Sequence, residues 1–214
     1  YFPYIKIAKT LFITKNPNEL YNFKLPNRFV LKNTSGSGMN MVVTKEDFNI
    51  NNLVKKSKQF MNVKYEKGRI PFFNINQPHY KYNDKAIMIE EYLDNIYELK
   101  ILMINGKIIN IFKKNIYSNT LSYMYDSNFI KTDTKYYGKN VSEDIDIKLN
   151  KTQINTLKRF CNDFYNKEKI DFVRLDFFIQ GETIYFGEFT FTPDACVGKC
   201  TNNYMVKMYE KYIR

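Results

Sequence analysis

Apolar residues recur along this chain with two periods, and the periods predict its elements. Over residues 151–167, Ile154, Leu157, Cys161 and Phe164 fall at three- and four-residue spacing, the stripe of an amphipathic helix. Further helices are predicted over 46–61 and 203–213. Apolar runs and alternations predict strands at 29–33, 39–43, 86–91, 98–104, 107–113, 171–179 and 183–191. Asn105-Gly106 separates two of them, and both residues accept the positive φ of a type I′ turn, so a hairpin is expected there. Paired strands mixed with single helices give an α+β chain with largely antiparallel sheets. A lobe boundary falls near residues 84–93.

The stretch from Asp171 to Pro193 carries the most chemistry. Alternation puts Val173, Leu175, Phe177 and Ile179 on one face, which must be core, and Arg174 and Asp176 on the other. A three-residue turn at Gln180-Gly181-Glu182 would set Arg174 opposite Glu188 and Asp176 opposite Phe186. Asp176 and Glu188 then become diagonal neighbours, with Thr190 and Thr192 continuing their face. Two spaced carboxylates suit Mg²⁺, which takes one or two protein carboxylates and completes its shell with water and phosphate oxygens. An arginine beside them can neutralise a transferring phosphoryl group or an oxyanion. The plainer alternative is an exposed hairpin whose Arg174 pairs with its own acids.

Two other stretches suggest a nucleotide. The run from Phe29 to Val43 reads as strand, loop and strand, the loop being Ser35-Gly36-Ser37-Gly38. Glycines let successive backbone N–H groups converge on an anion, the serines add donors, and Lys32 can aim an ammonium at the same phosphates. No Gly-Lys-Ser/Thr follows to open a helix, so this is not the P-loop pattern; an ordinary hairpin loop is the alternative. Ile87-Met88-Ile89 runs straight into Glu90-Glu91-Tyr92-Leu93. Read as an edge strand at a lobe junction, it would leave backbone groups able to read the edge of adenine. Glu98, beginning the next strand, could hold ribose hydroxyls. The alternative is a strand that reaches solvent at its acidic end.

Composition narrows the class. The chain has 214 residues, 44% hydrophobic and 17% aromatic, which argues against disorder. No apolar run approaches the roughly 18 residues of a membrane span, and no secretory signal opens the chain. It begins with Tyr1, so a preceding segment is expected. A net charge of +11 suits a lysine-rich surface or an anionic partner such as nucleotide phosphates or an acidic glycan. Without a block of like charges, nucleic acid is not favoured. Cys161 belongs to an apolar helix face. Cys196 and Cys200 frame Cys-Val-Gly-Lys-Cys, but zinc would need two more ligands, and His79 is the only histidine. An odd cysteine count without an export signal points to a reducing, cytoplasmic compartment.

In order, these segments resemble the ATP-grasp superfamily, and within it the TupA-like family associated with teichuronopeptide biosynthesis. The matching pieces are Leu25-Pro-Asn-Arg-Phe-Val-Leu-Lys32, SGSGMNMVV, His79-Tyr-Lys, IMIEEYL, ELKILMINGK, YMYDSNF, and DFVRLDFFI closing on YFGEFTFTP. The resemblance spans residues 4–193 and fades after Pro193, leaving 194–214 unassigned. It implies two α+β lobes with ATP in the cleft between them. Residues 1–27 would be the remnant of an N-terminal region, 28–92 a smaller lobe with the phosphate loop, and 93–214 a larger lobe with the metal site. By position, Lys32 and Ser35, Gly36, Ser37 and Gly38 would contact phosphates. Glu90, Glu91, Tyr92 and Leu93 would hold adenine, and Glu98 and Lys100 would complete the ATP site. Asp176, Glu188 and Thr190 would bind one or two Mg²⁺ ions. Arg174 and Lys32 would be catalytic. Thr190 stands where many superfamily members carry asparagine, although the TupA-like family tends to carry threonine. The implied reaction is ATP-dependent ligation of a carboxylate to an amine through an acyl phosphate, on an acidic small molecule or glycan. A phosphotransferase and a non-catalytic nucleotide-binding scaffold are the alternatives.

Overall fold

A computed structural model of the protein describes residues 2–36, 38–46, 48–62, 82–136, 139–191, 193 and 200–212. Ser37, His79, Thr192 and Cys196 lie outside the described residues. In chain order come β1 (Lys6–Ile7), β2 (Thr10–Thr14), β3 (Arg28–Asn33), β4 (Asn40–Thr44), α1 (Ile50–Met61) and β5 (Ile87–Glu91). Then follow β6 (Tyr97–Ile104), β7 (Lys107–Asn115), β8 (Thr120–Leu121), α2 (Lys151–Glu168), β9 (Phe172–Gln180), β10 (Thr183–Thr190) and α3 (Tyr204–Tyr212). The chain divides into two compact units, Ala8–Leu93 and a larger one made of Tyr1–Ile7 with Asp94–Arg214.

The smaller unit holds an antiparallel sheet in the order β2-β5-β3-β4. Alternation along β3 sends Phe29 and Leu31 inward, where they pack with Leu20, Leu53, Val54, Ile87 and Ile89. Helix α1 supplies Leu53, Val54 and Phe60 to that core. It begins at Ile50, four residues later than the apolar pattern suggested, because the Asn49 carboxamide caps it by accepting from the Asn51 N–H at 2.8 Å. The first 27 residues supply a strand to each sheet, neither of which the alternation disclosed.

In the larger unit the sheet order is β1-β10-β9-β6-β7-β8, antiparallel throughout except for β1 beside β10. Val173, Leu175, Phe177 and Ile179 are buried as expected and meet Leu157, Phe160, Cys161 and Phe164 of α2. Helix α2 opens with a reciprocal capping box between Asn150 and Gln153 and closes at Lys169 in the left-handed conformation, φ 54°. Turning between β6 and β7, Asn105 and Gly106 have φ 47° and 74°, the pair of positive values expected of them.

The sheet face opposite α2 carries Phe112, Met124 and Tyr136, with Tyr204 and Cys200 packed against them. Tyr204 donates its hydroxyl hydrogen to the Ile109 carbonyl at 2.6 Å, and Tyr209 of α3 meets Phe172 with ring centroids 5.8 Å apart. The C-terminal stretch from Cys200, left unassigned by sequence, therefore packs on the same face as Arg174 and Asp176.

Register in the β9–β10 hairpin differs from the expectation. Gln180 pairs with Thr183, so the turn has two residues, Gly181 and Glu182, and Gly181 takes φ 55°. A two-residue turn alone would set Glu188 opposite Leu175 and send it to the core face. Between Phe186 and Glu188 the register shifts, and this bulge at Gly187 restores the face. Glu188 lies directly opposite Asp176, and Thr190 opposite Arg174, replacing the diagonal arrangement inferred from a three-residue turn.

Candidate functional site

Three adjacent strands of the larger unit build one polar cluster. Central β6 contributes Glu98 and Lys100, and Lys100 lies directly opposite Asp176 of β9. Asp176 is fully buried. Arg174 grips it with two parallel bonds, Nε to Oδ1 and Nη2 to Oδ2, each 2.7 Å. Lys100 donates to the same Oδ2 and, at 2.6 Å, to Oε1 of Glu98. Arg174 also donates to the Thr190 hydroxyl at 3.1 Å, and that hydroxyl donates to Glu188 at 3.5 Å.

Asp176 and Glu188 differ in surroundings. Burial pushes the Asp176 pKa up, but the Arg174 hydrogen bonds and the Lys100 and Arg174 charges outweigh it, so the group sits below the ordinary carboxylate range. Glu188 sits above that range, first through desolvation and then through repulsion by Asp176. With 60% of its side chain exposed, solvent screens much of that effect. Burial disfavours the Arg174 cation, yet the hydrogen bond and charge of Asp176 more than reverse this and raise its pKa.

The donor set fits magnesium. Glu188 and Asp176 present hard carboxylate oxygens from opposed positions on one face, and a nucleotide's phosphates would supply further ligands. Among the described residues no group of three or more carboxylate, cysteine or histidine side chains gathers as a closed cage, and an open, phosphate-completed shell needs none.

In the smaller unit, Lys32 and Glu90 project from the sheet face opposite the core and form an ion pair. The loop expected to meet phosphates leaves β3 through Asn33. Its carboxamide oxygen accepts the Ser35 N–H at 3.0 Å, and its Nδ2 donates to the Phe60 carbonyl at 2.8 Å. Ser35 is fully buried and Gly38 has φ 69°. At Ile87–Leu93 the structure differs from the expectation. Strand β5 is not an edge, because β2 lies along it and Glu91 donates its backbone N–H to the Lys9 carbonyl at 2.9 Å. The Glu91 carboxylate in turn accepts the Lys9 N–H at 2.8 Å. Past the strand, Arg28 lies over the Tyr92 ring at 3.7 Å and Leu93 is buried.

The family model for TupA-like ATP-grasp proteins matches residues 6–212. The chain belongs to the TupA-like ATP-grasp family. No curated protein matches it. Among solved structures, D-alanine–D-alanine ligase from Helicobacter pylori is similar over 87% of this chain and 49% of its own, at 16% identity and a TM-score of 0.53. An ADP complex of N5-carboxyaminoimidazole ribonucleotide synthetase is similar over 96% of this chain and 47% of its own, at 11% identity and a TM-score of 0.51. This TupA-like chain thus has the ATP-grasp fold and spans about half the length of those two neighbours. Among its described residues no helix is long and apolar enough to cross a membrane.

Two contributors to the TupA-like site escaped the sequence reading. By sequence Asn33 is only the end of a predicted strand. Its signal was parity, since it follows Phe29 and Leu31 on the core face, where a polar side chain must find partners. By sequence Gly187 is one more residue of a predicted strand. A Cβ there would meet the Asp176 carbonyl oxygen and a Phe178 ring carbon, each at 3.0 Å. A glycine inside a strand pattern is itself a bulge signal.

Proposed function

We propose that the chain binds Mg-ATP and joins a carboxylate to an amine through an acyl phosphate. The observation that carries this reading is the cluster of Arg174, Lys100, Asp176, Glu188 and Thr190 on one sheet face of a TupA-like ATP-grasp chain. The acceptor's carboxylate oxygen attacks the γ-phosphorus and ADP leaves. The amine then attacks the acyl carbon, phosphate departs, and the nitrogen loses a proton. Arg174 would neutralise the phosphoryl oxygens and the tetrahedral oxyanion, and Asp176 fixes its plane with two bonds.

Lys32 and the loop Ser35, Gly36, Ser37 and Gly38 hold the phosphates, with Lys32 released from Glu90 for the purpose. Glu90, Glu91, Tyr92 and Leu93 form the adenine segment, and backbone reading begins after Glu91. Glu98 faces ribose, and Lys100 supports it. Magnesium, held at Glu188 with Asp176 and Thr190 beside it, would draw charge from the phosphate oxygens. An acidic glycan or small acid suits a chain of net charge +11, and a reaction consuming ATP suits the cytoplasm. Incubation with Mg-ATP and panels of acids and amines tests the reading. ADP plus phosphate appearing only when both are present supports ligation. A phosphorylated product would make the chain a kinase, and no turnover would leave a scaffold.

A further inference from the structure

We propose that the Lys100 ammonium is a resident cation of the site, bridging Asp176 and Glu98 where a further divalent ion would otherwise be required, so that a single metal ion, anchored at Glu188, accompanies the nucleotide. The inference rests on the nucleotide-binding reading above and concerns which charges the chain supplies itself.

Lys100 is 7% exposed, in the central strand of the sheet with β9 on one side and β7 on the other. Its backbone is opposite Asp176 on β9 and Phe112 on β7, so the side chain starts from a fixed point beside Asp176. It touches Asp176 Oδ2 and Glu98 Oε1. A buried ammonium stripped of its partners costs several kcal/mol, which makes this contact a lasting part of the site.

Asp176 is correspondingly committed. Its two oxygens already receive three donors: Arg174 Nε on Oδ1, and Arg174 Nη2 and Lys100 on Oδ2. A carboxylate has about four lone-pair positions, so it has little left for metal. The two cations match the charge of two of the three carboxylates. Glu188 is the third. It is exposed, stands 3.9 Å from Arg174, and among the described residues has the weakly placed Thr190 hydroxyl as its hydrogen-bond donor at 3.5 Å. Thr190 itself accepts from Arg174, which leaves its hydroxyl a poor ligand. The carboxylate open to a metal is therefore Glu188.

Titration with Mn²⁺ followed by electron paramagnetic resonance, in the presence of a non-hydrolysable ATP analogue, tests this without turnover. The wild-type chain should bind one Mn²⁺ per bound analogue, and Glu188→Gln should weaken that ion by about tenfold or more. Lys100→Met should bind two, because Asp176 and Glu98 again need a cation, whereas Lys100→Arg should keep one. Two Mn²⁺ ions in the wild type, or one in a folded Lys100→Met chain, would overturn the inference while leaving nucleotide binding intact. Should Lys100→Met not fold, the wild-type and Lys100→Arg counts decide. Failure of the analogue to bind any variant would overturn the nucleotide reading and this inference with it.

Discussion

Asp176 and Glu188 face each other, yet their replacement should have opposite consequences. Asp176 is fully buried between two cations. Asp176→Asn would leave Arg174 and Lys100 without their shared counter-charge, and breaking a buried pair this way costs about 3–5 kcal/mol. The loss should appear as a lower urea midpoint with an unchanged slope. Because the Asp176 pKa is held low, its contribution is present above the ordinary carboxylate range and is lost as pH falls through the folded value. Acid unfolding of the Asn variant should therefore be flatter. Glu188 is largely exposed, so Glu188→Gln should change stability by less than about 1 kcal/mol while removing metal-dependent nucleotide binding. At the alkaline end, burial raises Tyr97 from its ordinary value to about 12, and its hydroxyl donates to the Lys148 carbonyl at 3.0 Å. The folded state keeps that proton longer than the unfolded chain does. The stabilisation is complete below the unfolded tyrosine range, near pH 10, and is lost as pH rises toward 12. Thermal melts in that window should decline less steeply for Tyr97→Phe. An unchanged slope would refute the assignment.

Elements decide which of these groups meet, and the decisive one is the bulge at Gly187. Gly187→Val would press branched carbons toward the Asp176 carbonyl and the Phe178 ring, where even a Cβ arrives at 3.0 Å. Overpacking of this kind costs about 1–3 kcal/mol. Deleting Gly187 should do something different: Glu188 would follow Phe186 directly and still fall opposite Asp176 on a regular ladder, so Mg²⁺-linked nucleotide binding should survive where the chain folds. Calorimetry with ATP, with and without Mg²⁺, separates the two outcomes. At the other hairpin, Gly106→Ala would drive a Cβ to 2.4 Å from the Tyr165 ring at φ 74° and should destabilise more than a surface change. Alternation made the core face of β9 legible, and Asn105-Gly106 made the β6–β7 turn legible, because each rests on a local rule. Turn length in β9–β10 did not follow, since Gln180-Gly181-Glu182 suits two or three residues equally and only pairing along the strand decides. The expected face for Glu188 was right through two differences that cancel, a shorter turn and an added bulge. Strands β1 and β8 have two residues each, too few for a period. In β2, Leu11, Phe12 and Ile13 run together with Ile13 56% exposed, so nothing alternates, and without β2 the strand β5 looked like an edge. The pairing of Lys32 with Glu90 and of Lys100 with Asp176 depends on strand order, which sequence neighbours do not disclose.

At the scale of the whole chain, two hydrophobic clusters with no residue in common give each unit its own core. Local opening can therefore differ between them, and hydrogen exchange can report each separately. This makes the proposed division of labour testable. Lys32, Glu90 and the phosphate loop belong to the smaller unit, whereas Glu98, Lys100, Arg174, Asp176 and Glu188 belong to the larger. If one nucleotide engages both sets, Mg-ATP at about a hundredfold excess over Kd should add about 2.7 kcal/mol. Slower exchange should then appear in β3 and β5 and in β6, β9 and β10 at the same nucleotide concentration. Lys32→Ala should remove protection from both units, since losing a phosphate contact weakens binding wherever it is read. Glu188→Gln should remove only the part that depends on Mg²⁺, again from both. Protection confined to the smaller unit would mean that the Arg174–Asp176 cluster is a structural ion network and not part of a nucleotide site. A Lys32→Ala chain in which only the smaller unit loses protection would mean that the larger unit binds its ligand alone. Either outcome would withdraw the ligase reading, because acyl-phosphate formation needs the phosphates of one ATP to reach Arg174 and the metal-holding Glu188 together.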